Sequence, residues 1–230
     1  MRVAVIQSNY LPWKGYFDII NDVDLFVFYD DVQFTRNDWR NRNRIKTPNG
    51  LKWLTVPCGP DISRLIHEVR LDSSKWQEKH FNQIAEAYKQ SPYFARYEPF
   101  WRQIYREKTW QSLSELNQTL VRRIMGELLG VTRQYADSRQ YELTGRGAPR
   151  LLSLLQQVGA TSYVTGPSAA NYLNEQMFRE RGIELIWKDY NGYPEYPQLY
   201  RPFEQQVSII DLLFNTGPAA PQYIWGWRSK

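Results

Sequence analysis

Three short segments hold most of the side chains with chemistry to offer. The first is Asp30-Asp31-Val32-Gln33. Adjacent carboxylates can hold a magnesium ion, act as a general base or accept ribose hydroxyls. They equally suit a turn in which one Asp caps the backbone and the other is solvated. The second segment carries Arg40, Asn41, Arg42, Asn43, Arg44 and Lys46. On a strand the three arginines would share one face, a good seat for phosphate or carboxylate, with the two asparagines opposite. Arg36 and Lys46 would extend the patch; the competing reading is a solvated hairpin. The third segment is Gln7-Ser8-Asn9-Tyr10-Leu11-Pro12-Trp13-Lys14-Gly15-Tyr16-Phe17. Gln7 and Asn9 bring amide donors and acceptors. Gly15 lets a backbone approach a ligand ahead of a helix N-terminus that favours anions. The alternative is a strand-to-helix turn whose aromatic rings only pack.

Other residues are weaker candidates. Gly166 and Ser168, in Thr165-Gly166-Pro167-Ser168, form either a ligand loop or an ordinary turn with Ser168 as a helix cap. Residues 189–198 form a long loop rich in Tyr and Pro, and long loops are often lids. Glu195 is its only Glu and a candidate base, with Tyr193 and Tyr196 beside it. The alternative is aromatic packing on the core. His67 and His80 read as structural or exposed, and Cys58 has no nearby His to activate it.

The elements that would position these groups follow a βαβ rhythm. Residues 3–6 form a short apolar run suited to a buried strand, 15–23 have helical spacing, and 24–28 read as a second strand. That pattern implies a parallel sheet with a right-handed crossover. Segments 7–13 and 29–33 then leave the same sheet edge, where open α/β sheets bind ligands. Pro48-Asn49-Gly50 predicts a hairpin between 43–46 and 51–56. Residues 66–71 read as a further strand. Helices follow over 75–90, 97–108 and 113–129, with capping boxes at Ser74 and Ser112 and a stop at Gly130. This middle block, 73–130, reads as a helical insertion within a single domain, 1–230. A helix over 148–158, a strand at 162–164, a helix over 169–181, a strand at 183–187 and a helix over 207–214 complete the pattern.

Composition narrows the classes. The 230 residues include one Cys and two His, which excludes an intramolecular disulfide and leaves no zinc or haem centre to expect. The opening Met1-Arg2-Val3-Ala4-Val5-Ile6 turns polar too soon for a signal peptide. No apolar run approaches the roughly 18 residues of a membrane span. A cytoplasmic location and no membrane partner are expected. Aromatic residues are abundant, with 9 Trp, 16 Tyr and 10 Phe, and the net charge is +5. Residues 34–52 hold six basic side chains against Asp38 alone, so the rest of the chain is neutral. A patch that compact suits one or two phosphate groups better than the backbone of a nucleic acid, which is the rival partner.

The chain resembles the WbqC-like family over nearly its whole length. The motifs are Ile6 to Phe17 as quoted above, with Ser8 departing slightly from the family's pattern, then Asp30-Asp31-Val32-Gln33 and Trp39-Arg40-Asn41-Arg42-Asn43. Toward the C-terminus they are Gly166-Pro167-Ser168, residues 190–198, and Ser208-Ile209-Ile210-Asp211-Leu212-Leu213-Phe214-Asn215-Thr216-Gly217. The resemblance implies a place in O-antigen or other surface-polysaccharide biosynthesis, with glycyl or aminoacyl transfer suggested for some members. A second likeness is to nucleotidylyltransferases of the HUP-type α/β class. They carry His-x-Gly-His where this chain has Trp13 and Tyr16, which implies a shared Rossmann-like fold without catalysis by those histidines.

The resulting expectation is an α/β, Rossmann-like (HUP-type) three-layer parallel sheet with a helical insertion. It would be a transferase acting on a nucleotide or nucleotide-sugar, with magnesium entering only in company with a nucleotide. Asp30, Asp31 and Glu195 are the candidate catalytic groups. The candidate substrate contacts are Gln7, Asn9, Tyr10, Trp13, Gly15, Tyr16, Gln33, Arg40, Asn41, Arg42, Lys46, Gly166, Ser168, Tyr193 and Tyr196. No protein metal ligand is expected. A non-catalytic nucleotide- or sugar-binding protein and a single-strand nucleic-acid-binding module are the alternatives.

Overall fold

Five parallel strands form the centre of the computed structural model, which describes residues 1–171 and 173–228. They are β1 (Arg2–Ile6), β2 (Leu25–Phe28), β5 (Gln134–Asp137), β6 (Ser162–Thr165) and β7 (Glu184–Trp187), in the order β5-β2-β1-β6-β7. Strands β3 (Arg42–Thr47) and β4 (Gly50–Thr55) make the separate antiparallel hairpin that the Asn-Gly turn predicts. The central strands β1, β2 and β6 are buried on both faces, as a sheet covered twice requires. Ala4, Phe26, Phe28 and Val164 point into one core, and Val3, Val5, Leu25, Val27 and Tyr163 into the other. The first core is closed by α1 (Lys14–Asn21), α4 (Leu113–Arg123) and α7 (Ile209–Thr216). Helices α5 (Gly147–Gln157) and α6 (Glu175–Arg179) close the second. The architecture is therefore a doubly wound three-layer α/β fold, and the strand order reverses between β1 and β6.

The segment read as an insertion, 73–130, shares the first core rather than forming its own. Trp76, Phe81, Ile84 and Tyr88 of α2 (Lys75–Tyr88) lie in one buried cluster with Phe17 of α1 and Phe214 of α7. Trp101 of α3 (Phe94–Arg102) joins them. Helix α4 ends the insertion and also carries the chain across from β2 to β5.

Several expectations are corrected. Strand β5 had no sequence signal, because Gln134 to Asp137 is polar at both ends and neither alternates nor runs apolar. Residues 66–71 contain a short 3-10 turn, Ile66–Glu68, whose first N–H donates to Val32. The expected helix over 169–181 is a 3-10 turn, Pro167–Asn171, followed by α6, which Asn174 caps. Ser74 does not cap α2 through its side chain, whereas Ser112 does cap α4, accepting from the Glu115 N–H at 3.3 Å.

Candidate active site at the sheet edge

A cleft of about 790 Å³ opens at the C-terminal edge of the sheet, beside the β1/β6 reversal. Gln7 enters it from the end of β1, Tyr29 and Asp31 from the end of β2, and Tyr163 from β6. The opposite wall is the start of α5, with Gly145, Arg146, Gly147 and Arg150. Gly145 and Gly147 have φ of +81° and +59°, a region that L side chains rarely adopt. The helix behind them has no side-chain cap and no acidic residue in its first turn. An uncapped N-terminus carries partial positive charge and orients N–H groups toward an anion.

Electrostatics sort the two neighbouring aspartates. Asp30 is fully buried. One of its oxygens accepts the Ser8 N–H at 2.8 Å, and the other accepts Ser114 Oγ and Gln118 Nε2. Gln118 also donates to Asp137 at 2.8 Å, so one amide of α4 ties the ends of β2 and β5 together. The carboxylate is thus used up by the fold, and the expected base or ribose acceptor at Asp30 gives way to a structural knot. Asp31 is different. It faces the cleft, where Ser138 Oγ and Arg150 hold it in place. Burial pushes the Tyr29 hydroxyl upward; Arg150 opposes this and Asp31 adds to it, so Tyr29 stays a neutral donor. Burial alone would raise Asp137, yet bonds from Arg139 and Gln118 hold it below the usual carboxylate range.

The arginine stretch does not form the expected anion seat. Strand β3 begins only at Arg42, so Arg40 lies in the preceding turn and pairs with Asp38 at 3.4 Å. Arg42 and Arg44 share a face, but their guanidinium groups lie over the Trp53 ring, at 4.2 and 5.5 Å from its centre. Lys46 is 4 % exposed and donates to the Pro202 carbonyl. Asn41 bonds the Val56 carbonyl at 2.9 Å.

The remaining candidates divide by place. Gln7, Asp31 and Gln33 line the cleft. Asn9 and Trp13 line a second, smaller hollow of about 230 Å³. Tyr10 is fully buried, bonded to His80 Nδ1 at 2.8 Å and to Tyr105, and Tyr16 donates to the Gln7 carbonyl at 3.0 Å. The space beside Gly15 is filled by its own segment: a Cβ there would lie 2.2 Å from the Trp13 ring. Gly166 faces the Tyr190 ring, and Ser168 is exposed in the turn after β6. The aromatic loop packs instead of covering the cleft. Tyr193 donates to Asp18 of α1, and Tyr196 donates to Asp211 of α7 at 2.8 Å. Glu195 is 70 % exposed and lies 4.0 Å from Arg201.

Sequence reasoning missed the wall that α5 supplies. The signal was present, since Gly145-Arg146-Gly147 leads directly into a helical pattern, but no strand was recognised in front of it. Among the described residues, no group of three or more His, Cys, Asp or Glu side chains is placed to hold a metal ion. No described helix is long and apolar enough to cross a membrane.

Fold and cleft together define an open, doubly wound α/β protein with a crevice at its topological switch point. The family model described as "WbqC-like protein family" matches residues 7–223, and the chain belongs to that family. It is 45 % identical over 225 residues to "Uncharacterized protein Rv1507c" of Mycobacterium tuberculosis (strain ATCC 25618 / H37Rv), with 97 % of each chain covered. No solved structure matches it.

Proposed function

We propose that the sheet-edge cleft binds a nucleotide or nucleotide-linked sugar. The protein would then act in the cytoplasm as a transferase of surface-polysaccharide biosynthesis, in which a hydroxyl or amine of the activated sugar attacks the carbonyl of a glycyl, aminoacyl or other acyl thioester or ester, the new ester or amide forms, and the donor's thiol or alcohol leaves with the nucleophile's proton. The observation that carries this reading is the convergence on one switch-point crevice of an uncapped helix N-terminus, Arg146 and Arg150. Arg146 and the first N–H groups of α5 would take the phosphates. Asp31, oriented by Arg150 and Ser138, would accept ribose or sugar hydroxyls. Tyr29 would donate a hydrogen bond to the oxygen on which negative charge develops. Acyl transfer of this kind depends on positioning and on stabilising the developing anion. A magnesium ion would arrive with the phosphates.

The test is thermal unfolding with nucleotides, nucleotide-sugars, amino acids, acyl-CoA and a short oligonucleotide, each with and without magnesium. A ligand at 100 times its dissociation constant stabilises by about 2.7 kcal/mol, or roughly 5–10 °C for a chain of this length. A nucleotide or nucleotide-sugar shift that disappears in Arg146→Ala is the expected result. A shift from the oligonucleotide alone would replace this reading with nucleic-acid binding. No shift from any nucleotide would remove it.

A further inference from the structure

The arginine face of the β3–β4 hairpin fails as a seat for a small anion, yet it stays open to solvent and combines two features. The first is exposed apolar surface. Among the described residues five large apolar side chains are exposed: Met1, Trp39, Leu51, Trp53 and Ile62. Trp39, Leu51 and Trp53 belong to the hairpin and the turn before it. Leu51 and Trp53 are two residues apart on β4 and so share a face. Trp39 adds its ring 5.8 Å from that of Trp53. Trp110, Trp187 and Trp227 donate their indole N–H groups to protein acceptors, at 2.7, 2.9 and 3.1 Å. Trp39 and Trp53 find no such acceptor among the described residues, so their N–H groups are left to solvent.

The second feature is charge. Residues 34–52 carry the net charge of the chain, with Asp38 as their one acid. Arg40 takes Asp38 at 3.4 Å, and Lys46 is buried. Arg36 is exposed, and Arg42, Arg44 and Lys52 are partly so. None of these four pairs with a carboxylate among the described residues. Arg44 stands opposite Trp53 in the register, and both it and Arg42 lie over that ring, so cations and apolar rings occupy the same face.

This combination selects among partners. A second copy of the chain would set like charge against like charge. A nucleic-acid strand needs clear ring faces for its bases, and Trp53 already carries Arg42 at 4.2 Å from its centre. A strand would also leave Leu51 with nothing to meet. An anionic bilayer answers every feature. Indoles settle at the headgroup level with the ring toward the acyl chains and the N–H toward water, an aliphatic side chain enters beside them, and Arg and Lys meet the lipid phosphates. We propose that this hairpin docks the protein on an anionic phospholipid surface, through Trp39, Leu51 and Trp53 with the four unpaired cations around them. Such docking needs no spanning helix. It departs from the expectation of no membrane partner, which rested on spanning segments alone.

Co-sedimentation of the full chain with lipid vesicles tests it. One set of vesicles is phosphatidylcholine, the other equal parts of phosphatidylcholine and phosphatidylglycerol. The protein should sediment with the anionic set only, and less so as salt rises from about 0.1 M to about 1 M. The partition coefficient should fall about fivefold in Arg36→Gln, the share of one cation at such a surface. It should fall about tenfold or more in Trp39→Ser. Ile62→Ser, which removes an exposed apolar side chain outside the hairpin, should change nothing. Arg146→Ala should keep vesicle binding while losing the nucleotide shift, so this proposal and the nucleotide reading fail separately. Arg36 and Trp39 are exposed, and the bond from the Tyr10 N–H to the Trp39 carbonyl survives substitution. Both variants should therefore fold, which far-UV circular dichroism checks. No sedimentation with anionic vesicles, equal sedimentation with both sets, or binding unchanged in Trp39→Ser and Arg36→Gln would overturn the proposal. Binding of an oligothymidylate or of polyglutamate in place of the vesicles would overturn it too, and would give the face to a nucleic acid or an acidic protein.

Discussion

At the scale of single residues, environment overrides residue type. Gly15 looks like a place for a ligand to approach, but the space is filled by the indole of Trp13, which in turn meets the rings of Tyr190 and Tyr193. Gly15→Ala should therefore destabilise by about 1–3 kcal/mol in urea unfolding, the usual cost of overpacking. An unchanged midpoint would show that the Trp13 ring can move aside. Cys58 gives a second case. Burial pushes its thiol up to about 12, and Arg64 only partly opposes this. At pH 8 it is a protonated thiol in the core, and a disulfide reagent should label it only after denaturant is added. Rapid labelling of the native protein would contradict this.

At the scale of elements, the informative joint is between α4 and the sheet. Helix α4 belongs to the insertion by sequence, yet Ser114 and Gln118 reach the carboxylate at the end of β2. Asp30→Ala would strand the Ser8 N–H, the Ser114 hydroxyl and one donor of Gln118. It should cost about 2–4 kcal/mol of stability, because unsatisfied buried donors are expensive. Arg146→Ala, on the exposed turn before α5, should leave the midpoint unchanged and affect only ligand binding. Chemical denaturation of the two variants side by side separates the structural knot from the cleft. Equal stability of Asp30→Ala and wild type would return Asp30 to the list of ligand contacts.

At the scale of the whole molecule, one core cluster runs from α1 through the insertion to α7. The insertion should not melt by itself. Far-UV circular dichroism and tryptophan fluorescence should report one coincident transition; two separated transitions would make 73–130 an independent unit. That core also contains a buried histidine, His80. Burial lowers His80 from 6.5 to about 4, with the Thr55 carbonyl opposing and Lys79 assisting. A base with a depressed folded pKa contributes stability above its unfolded value and loses it as pH falls through the folded one. The unfolded chain binds the extra proton between pH 6.5 and 4, so stability should drop by about 3 kcal/mol across that window. Replacing His80 with Gln should flatten that part of the curve. An unchanged slope would mean that carboxylates alone drive the acid transition.

Much of the fold was legible in the sequence because the information was local. The apolar runs of β1 and β2, the Asn-Gly turn of the hairpin and the periodicity of α2, α4 and α5 need only neighbouring residues to be read. The motifs that place the chain in its family are likewise contiguous. Strand β5 was not legible: it lies at the sheet edge, pairs with β2 alone among the described strands, and is polar at both ends, with Asp137 accepting from Gln118 of α4. The site followed the same division. The sequence determined that Gln7, Asp31 and Gln33 would leave the sheet at the ligand edge. Only the tertiary structure decided that Asp30 turns inward to Ser8 and Ser114, that the arginines of β3 rest on Trp53, and that α5 brings Arg146 and Arg150 to face Asp31. The physical reason is that a side chain's chemistry depends on what neutralises and dehydrates it. Those partners come from other elements, some of them more than 80 residues away in the chain, as Ser114 is from Asp30 and Arg150 from Asp31.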